Sequence, residues 1–165
     1  MLRLIQIKKM ISIDVVSDNN LWNKKIKKKK VFFNTLVKFF PKKYRFIGKK
    51  INLSILLSDN KNIKKLNKSF RNKNKSTDVL SFPFEKKLNL KKDTYLGDIA
   101  ISYTFMNSPK NISSLDFKDK VTKIFIHGFL HLLEHDHVKL KDFKKMNKEE
   151  EKIYKFVKIK SRKLV

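Results

Sequence analysis

The sequence predicts an α+β fold, in which one mixed, mostly parallel β-sheet of about four strands is flanked by helices. Four short segments are rich in β-branched and other aliphatic residues, and between them lie longer segments whose apolar residues recur at helical spacing. The 165 residues show no internal repeat and no domain linker, so we expect residues 1–165 to form a single domain. Met10 is an alternative start, which makes residues 1–9 a candidate for a dispensable extension.

The predicted strands are 11–16 (ISIDVV), 51–58 (INLSILLS), 78–84 (DVLSFPF) and 95–102 (YLGDIAIS). Pro83 lacks the amide hydrogen that a central strand needs, so it places the third strand at an edge of the sheet. An edge strand leaves one side open, and an extended substrate can lie along that side.

The predicted helices are recognised by apolar residues at helical spacing. The first covers 21–40 and ends at Pro41, with the lysine run 27–30 on its solvated face. Asp59 can cap a second helix that runs to Phe70, and its buried stripe is predicted to be Ile63, Leu66 and Phe70. A third helix runs from Leu115 into a histidine cluster. The last covers 140–160, with the apolar stripe Leu140, Phe143, Met146, Ile153, Tyr154 and Val157.

The amino-acid composition limits both the cellular compartment expected for the protein and the chemistry that its side chains can supply. The chain has no cysteine, which excludes disulfides, thiolate metal ligands and a cysteine nucleophile. No apolar run approaches the ~18 residues of a membrane span, and the first residues do not have the pattern of a signal peptide. We therefore expect a cytoplasmic protein with no membrane partner.

The net charge of +26 has two explanations, and the sequence leaves both open. Lysines neutralise phosphates and release counterions, so the charge predicts a polyanionic partner. Abundant lysine, asparagine and isoleucine with only 3 glycines is also typical of proteins from AT-rich genomes. Under either explanation, the electrostatic field favours nucleic acid over a cationic partner.

All 4 histidines lie in the segment HGFLHLLEHDH, from His127 to His137. His127 and His131 share one helical face about 6 Å apart along the axis, so their imidazoles can converge on one metal ion such as zinc. A straight helix cannot supply a third histidine, because His135 would lie about 12 Å from His127. The helix must therefore end after His131, and the chain must turn back to bring in His137. His135 stays open as an alternative ligand, or as a fourth one that closes the site.

The spacing H-x3-H-x5-H is shared with zinc endopeptidases of the H-E-x-x-H-x-x-G-x-x-H type. In that motif a glutamate follows the first histidine and acts as the general base. Gly128 occupies that position here, so the metal pattern is present and the peptidase base is missing. A zinc-dependent peptidase is therefore a rival interpretation that the sequence disfavours.

Four motifs in order resemble the YbeY family, bacterial endoribonucleases of ribosomal RNA maturation. They are Asn67 to Arg71 (N-x-x-x-R), Thr77 to Pro83 (TDVLSFP), Gly97 to Ile99 (GDI) and His127 to His137. The resemblance is close over residues 51–137 and looser in the flanking helices. It implies a mixed sheet flanked by helices, one zinc ion in a cleft, and cleavage of single-stranded RNA at the 3′ end of small-subunit ribosomal RNA. It also implies the ribosome or its small subunit as a partner, and a part in ribosome quality control.

Carried over to this sequence, the resemblance assigns the zinc ligands to His127, His131 and His137 and the functional arginine to Arg71. Arg71 also stands out by composition, because only 4 of the 41 basic residues are arginines. Its planar guanidinium binds phosphate oxygens in a bidentate manner that lysine cannot copy. Ser81, in the TDVLSFP motif, is a further candidate for substrate binding. The predicted reaction is metal-assisted phosphodiester cleavage, with Arg71 neutralising charge on the phosphate.

The histidine segment departs from the family pattern at two neighbouring positions. The family has glycine where this chain has Glu134, and usually tyrosine where it has His135. The glycine position suits a left-handed residue, so either Glu134 adopts that conformation at a cost of ~1–2 kcal/mol or the turn is built differently. The Glu134 carboxylate is also a candidate for orienting a histidine. A closed site with four ligands would favour a second rival, a non-catalytic ribosome-assembly factor with structural zinc.

Overall fold

The structure, a computed structural model, describes residues 10–161. The elements follow the chain in the order β1 Ile11–Ser17, α1 Trp22–Lys25, α2 Lys29–Lys38, a 3-10 helix Lys42–Tyr44, β2 Lys50–Ser58, α3 Asn60–Arg71, β3 Val79–Pro83, β4 Asp93–Ser102, α4 Tyr103–Met106, α5 Ser114–Leu132 and α6 Leu140–Ser161. The proposed extension over residues 1–9 lies outside the described residues. Within the described range, no helix is both long and apolar enough to cross a membrane.

The strands form one 4-stranded sheet in the order β1-β2-β4-β3. β2 pairs in parallel with both β1 and β4, whereas β3 pairs antiparallel with β4. The predicted α+β fold with a mixed, mostly parallel sheet is therefore confirmed. β3 lies at the edge, as Pro83 predicted, and Pro83 pairs with Gly97 of β4.

The main hydrophobic core lies between the sheet and the helices α2, α5 and α6. Phe125 of α5 packs edge-on against Phe33 of α2, with ring centroids 5.3 Å apart. Phe129, one turn later, packs in the same way against Phe40 at 5.2 Å. These aromatic contacts fix α5 against α2 and the residues that follow α2, and so they fix the histidines that α5 carries.

A smaller apolar cluster lies on the other face of the sheet, beneath α3, and consists of Ile63, Leu80 and Ala100. Alternate residues of a strand point to opposite faces, and Ile99 and Ile101 of β4 belong to the main core. The two faces of the sheet are therefore covered unequally, because the α3 face carries one helix and a small core.

The prediction of one continuous helix over 21–40 is wrong, because the chain breaks between α1 and α2. Ile26 adopts an extended conformation with φ −133° and ψ 100°. This conformation buries its side chain to 2% exposure in the main core, beside the fully buried Trp22. The break could not be predicted, because the periodicity of the apolar residues persists across it.

Two of the predicted apolar stripes include terminal residues that are exposed in the structure. Phe70 at the end of α3 is 69% exposed, and Leu140 and Phe143 at the start of α6 are 70% and 50% exposed. Each lies in a terminal turn, where the helix extends past the core that covers its centre. The short helix α4 was not predicted, because four residues carry too little periodicity to detect.

Candidate metal centre

His127 and His131 lie on the last turns of α5. The helix begins at Ser113, whose hydroxyl oxygen accepts a hydrogen bond from the Asp116 amide at 3.0 Å. The Nε2 atoms of His127 and His131 are 3.0 Å apart. This separation is compatible with both nitrogens binding one ion at ~2.0–2.1 Å.

The turn after α5 brings His137 to the other two histidines. The helix ends at Leu132, and the His135 amide donates to the Leu130 carbonyl at 3.0 Å while the Glu134 amide donates to the His131 carbonyl at 3.1 Å. This pair of bonds is a Schellman motif, which ends a helix and reverses the chain. The ring of His137 then lies 5.0 Å from that of His131 between centroids. One ring nitrogen from each of the 3 histidines lies within 4.8 Å of the others.

Glu134 occupies the left-handed position of this turn, with φ 66°. Of the two possibilities that the sequence allowed, the chain therefore takes the strained one. The Glu134 carboxylate accepts a hydrogen bond from the Leu88 amide at 2.9 Å, in the loop between β3 and β4. Glycine could not make this contact, so Glu134 ties the turn to a neighbouring loop and does not point at the histidines.

His135 contributes its backbone to the centre. Its carbonyl oxygen lies 2.9 Å from Nδ1 of His131, which donates to it. Its imidazole does not join the group of ring nitrogens, as far as the described residues extend. Asp136 next to it accepts a hydrogen bond from the His137 amide at 2.7 Å, and this bond braces the turn.

Glu150 of α6 is a residue of the site that the sequence analysis missed. Its Oε1 lies 2.6 Å from Nδ1 of His127. Together with the His135 carbonyl on His131, this acceptor holds the proton of both imidazoles on Nδ1 and turns Nε2 toward the common centre. The run of glutamates Glu149–Glu151 in an otherwise lysine-rich helix was the available signal.

The electrostatics of the centre favour a neutral imidazole at His131. Burial is the main cause that lowers the pKa of His131 to about 4, and the nearby His127 and His137 add to it. A neutral imidazole is the form that binds a metal ion, because its Nε2 lone pair is available. The donor set therefore fits a metal ion such as zinc.

Gly128 faces the sheet rather than the centre. A Cβ added there would lie 3.0 Å from the Ile99 side chain and 3.1 Å from the Ser81 hydroxyl oxygen. The Ser81 hydroxyl donates to the Gly128 carbonyl at 3.0 Å, so α5 and β3 are in close contact at this point. A side chain at position 128, where the peptidase motif has its glutamate, would crowd Ile99 and Ser81.

Arg71 and Ser81 lie in the same cleft as the histidines. The cleft has a volume of about 510 Å³ and is lined by Arg71, Lys73, Ser81, His127, His131 and His137, among others. Arg71 Nη2 donates to the Ser81 carbonyl oxygen at 3.0 Å, which places the guanidinium at the outer edge of β3. The structure thus brings all of the sequence-predicted site residues into one cleft, whose charged lining residues are Arg71, Lys73, Asp78 and Asp136.

Three convergent imidazoles in a cleft that also carries an arginine are typical of a metal-dependent hydrolase that acts on an anionic substrate. A sequence model of the family Endoribonuclease YbeY matches residues 16–158. The chain belongs to this family.

Curated relatives carry the same family name. The chain is 78% identical to Endoribonuclease YbeY of Pelagibacter ubique (strain HTCC1062) over 92% of its own length and 99% of the relative. It is 34% identical to Endoribonuclease YbeY of Ehrlichia canis (strain Jake), over 78% of this chain and 80% of that one. Endoribonuclease YbeY of Persephonella marina (strain DSM 14350 / EX-H1) is 38% identical over 53% of this chain and 57% of the relative.

The fold is shared with a solved structure. The solution structure of TM1509 from Thermotoga maritima superimposes with a TM-score of 0.55 at 22% sequence identity, covering 93% of each chain. This likeness supports the architecture of the sheet and its flanking helices.

Proposed function

We propose that the chain is a zinc-dependent endoribonuclease that cuts single-stranded RNA, and that it matures the 3′ end of small-subunit ribosomal RNA in the cytoplasm. One observation carries the proposal: in a chain of the YbeY family, three metal-competent imidazoles and Arg71 line one open cleft. The ribosome or its small subunit is the expected partner, and ribosome quality control the wider role.

The proposed ligands of the zinc ion are His127, His131 and His137. Zinc would supply a Lewis acid that polarises the phosphodiester. Glu150 and the His135 carbonyl hold two of the imidazoles in the tautomer that presents Nε2. Three protein ligands rather than four leave one side of the ion accessible to substrate, which favours catalysis over structural zinc.

Arg71 is proposed to bind the scissile phosphate and to neutralise the charge that develops on it. The bond to the Ser81 carbonyl engages Nη2 and fixes the direction of the guanidinium. A guanidinium has five donors, so the fork retains donors for a phosphate oxygen. Ser81 is proposed to act by holding Arg71 at the edge of β3, where substrate enters.

The test compares the protein as purified with its His131→Ala variant. Both are assayed for metal content and for cleavage of a single-stranded RNA, a duplex of the same sequence and casein. We expect about one zinc per chain in the wild type, cleavage of the single strand, and loss of both in the variant. Casein should stay intact, because Gly128 supplies no general base at the position where the peptidase motif has glutamate.

Each contrary result selects a rival. Cleavage that survives in a metal-free His131→Ala variant would reject the metal-dependent mechanism. Digestion of casein in place of RNA would identify a peptidase. Stoichiometric zinc and binding to small ribosomal subunits without any RNA cleavage would identify an assembly factor with structural zinc.

A further inference from the structure

Two aromatic rings, the exposed Phe70 and the half-buried Phe82, lie on the α3 side of the edge strand. Phe70, in the last turn of α3, is 69% exposed, and its ring centroid lies 5.2 Å from that of Phe82 in β3 at an interplanar angle of 59°. Both rings line a groove of about 710 Å³, together with Leu66, Pro83, Arg71 and Ser81. We call this surface the aromatic groove. Apolar side chains exposed in such a groove are a mark of a binding surface.

The groove is held by contacts on both sides. Phe82 and Leu66 pack on the small core beneath α3. Across the sheet, a Cβ at Gly97 would lie 2.1 Å from the Phe82 carbonyl oxygen, so only glycine lets β3 approach β4 this closely. The Phe84 amide continues the pairing by donating to the Leu96 carbonyl at 3.0 Å. The backbone under Phe82 is therefore fixed, and Phe82 in turn supports the exposed ring of Phe70.

The aromatic groove is continuous with the metal cleft. Arg71 and Ser81 line both cavities, because Arg71 reaches across the edge of β3 to the Ser81 carbonyl. A strand that places one phosphate at Arg71 can therefore extend into the cleft in one direction and over Phe70 in the other.

Basic side chains accompany the groove. Arg71 lines it, and the exposed Lys68 and Lys73 flank Phe70 and Arg71 in the sequence at the end of α3. Asp98 is the acidic residue that lines the groove, and its carboxylate accepts a hydrogen bond from the Tyr95 hydroxyl at 2.7 Å. Aromatic faces between basic side chains suit single-stranded nucleic acid, whose bases stack while its phosphates are neutralised. An apolar peptide would use the rings but not the lysines.

We propose that the aromatic groove is a base-stacking subsite for the RNA strand whose scissile phosphate lies at Arg71. This inference rests on the proposed function and names how the strand is held next to the metal centre. Phe70 contributes the main stacking face and Phe82 supports it from below. Because every base has a stacking face, this subsite selects single strands over duplexes without reading sequence.

The test measures binding separately from cleavage. The probe is a fluorescein-labelled, single-stranded 2′-O-methyl oligonucleotide about 12 nucleotides long. Its binding to the metal-loaded protein is followed by fluorescence anisotropy, and its integrity is checked on a gel. We expect Phe70→Leu to weaken binding about 10-fold and Phe70→Trp to retain it, because leucine keeps apolar area but offers no ring.

Two controls isolate stacking. Phe156→Leu removes another exposed phenylalanine beside a lysine, on α6, and should bind as the wild type does. An abasic strand of the same length keeps the phosphates, so it should bind wild type and Phe70→Leu equally. In cleavage of ordinary RNA, Phe70→Leu should raise KM and leave kcat near the wild-type value.

The outcomes distinguish this inference from the proposed function. The stacking subsite would be overturned if wild type and Phe70→Leu bind the base-containing probe equally, even if RNA is cleaved normally. Circular dichroism would confirm that both proteins are folded. Competition for the groove by an apolar peptide but not by RNA would overturn it as well, and would assign the groove to a protein partner. Absence of RNA cleavage by the wild type would instead refute the proposed function.

Discussion

The cleft lies between two helix ends that reverse the chain in similar ways but with different residues. α3 ends at Asn72 with φ 54°, and α5 is followed by Glu134 with φ 66°. Asparagine tolerates the left-handed conformation, whereas a residue such as glutamate incurs a cost of ~1–2 kcal/mol. The α5 turn offsets part of that cost with the hydrogen bond from the Leu88 amide to the Glu134 carboxylate.

The two ends supply different parts of the site. The α5 end places the imidazoles, and the α3 end places Arg71. Ser81 links them, because its hydroxyl donates to Gly128 of α5 and its carbonyl accepts from Arg71. We infer that metal binding depends on the α5 turn and phosphate binding on the α3 end, so that each can be removed without the other.

The largest expected effect is at the α5 end. His137→Ala should lower RNA cleavage by more than about 100-fold and reduce zinc content, since loss of a ligand should exceed the effect of losing an outer partner. His135→Ala is the matched control, and it should retain zinc and activity because only its backbone faces the centre. If His135→Ala loses the metal and His137→Ala keeps it, the third ligand is His135 and not His137.

At the α3 end, Arg71→Ala should lower kcat about 100-fold, as expected for removal of a group that stabilises transition-state charge. Arg71→Lys should recover only part of the rate, because an ammonium cannot bind phosphate in a bidentate manner. Zinc content, measured on the same samples, should equal that of the wild type in both variants. Loss of zinc would show that the two ends are not separable.

Replacing Glu150, the hydrogen-bond partner of His127 on α6, should reduce zinc affinity less than replacing a metal ligand does. Glu150→Gln should weaken zinc affinity about 10-fold, because the amide is a poorer acceptor for the His127 proton. The measurement is competition with a chromophoric chelator. Glu151→Gln serves as the control, since its exposed carboxylate accepts a hydrogen bond from Asn147 at 3.4 Å, away from the histidines. Equal affinities in the two variants would reject the positioning role.

The smallest effect concerns the two left-handed residues themselves. Glu134→Gly should be more stable to urea than Glu134→Ala by about 1 kcal/mol, because both lose the carboxylate and only glycine is unstrained. The corresponding pair at Asn72 should differ by a similar amount, since the same conformation is required. If the Glu134→Gly and Glu134→Ala variants are equally stable, the turn does not require a left-handed residue at position 134.

The metal centre was predictable from sequence because helix geometry fixes the relation of residues four apart. His127 and His131 had to share a face, and the distance to His135 required the helix to end. The edge position of β3 was predictable from Pro83, because proline lacks the amide hydrogen that a central strand needs. Three features depended on contacts between distant segments and could not be predicted: the break at Ile26, the reach of Glu150 from α6 to His127, and the choice of Glu134 between two turns.

Titration of zinc into metal-free protein tests the central claim most directly. Single-stranded RNA cleavage should rise from near zero and saturate at about one ion per chain, with no rise in His137→Ala measured alongside. Cleavage by the metal-free protein at the rate of the zinc-loaded protein would contradict the account.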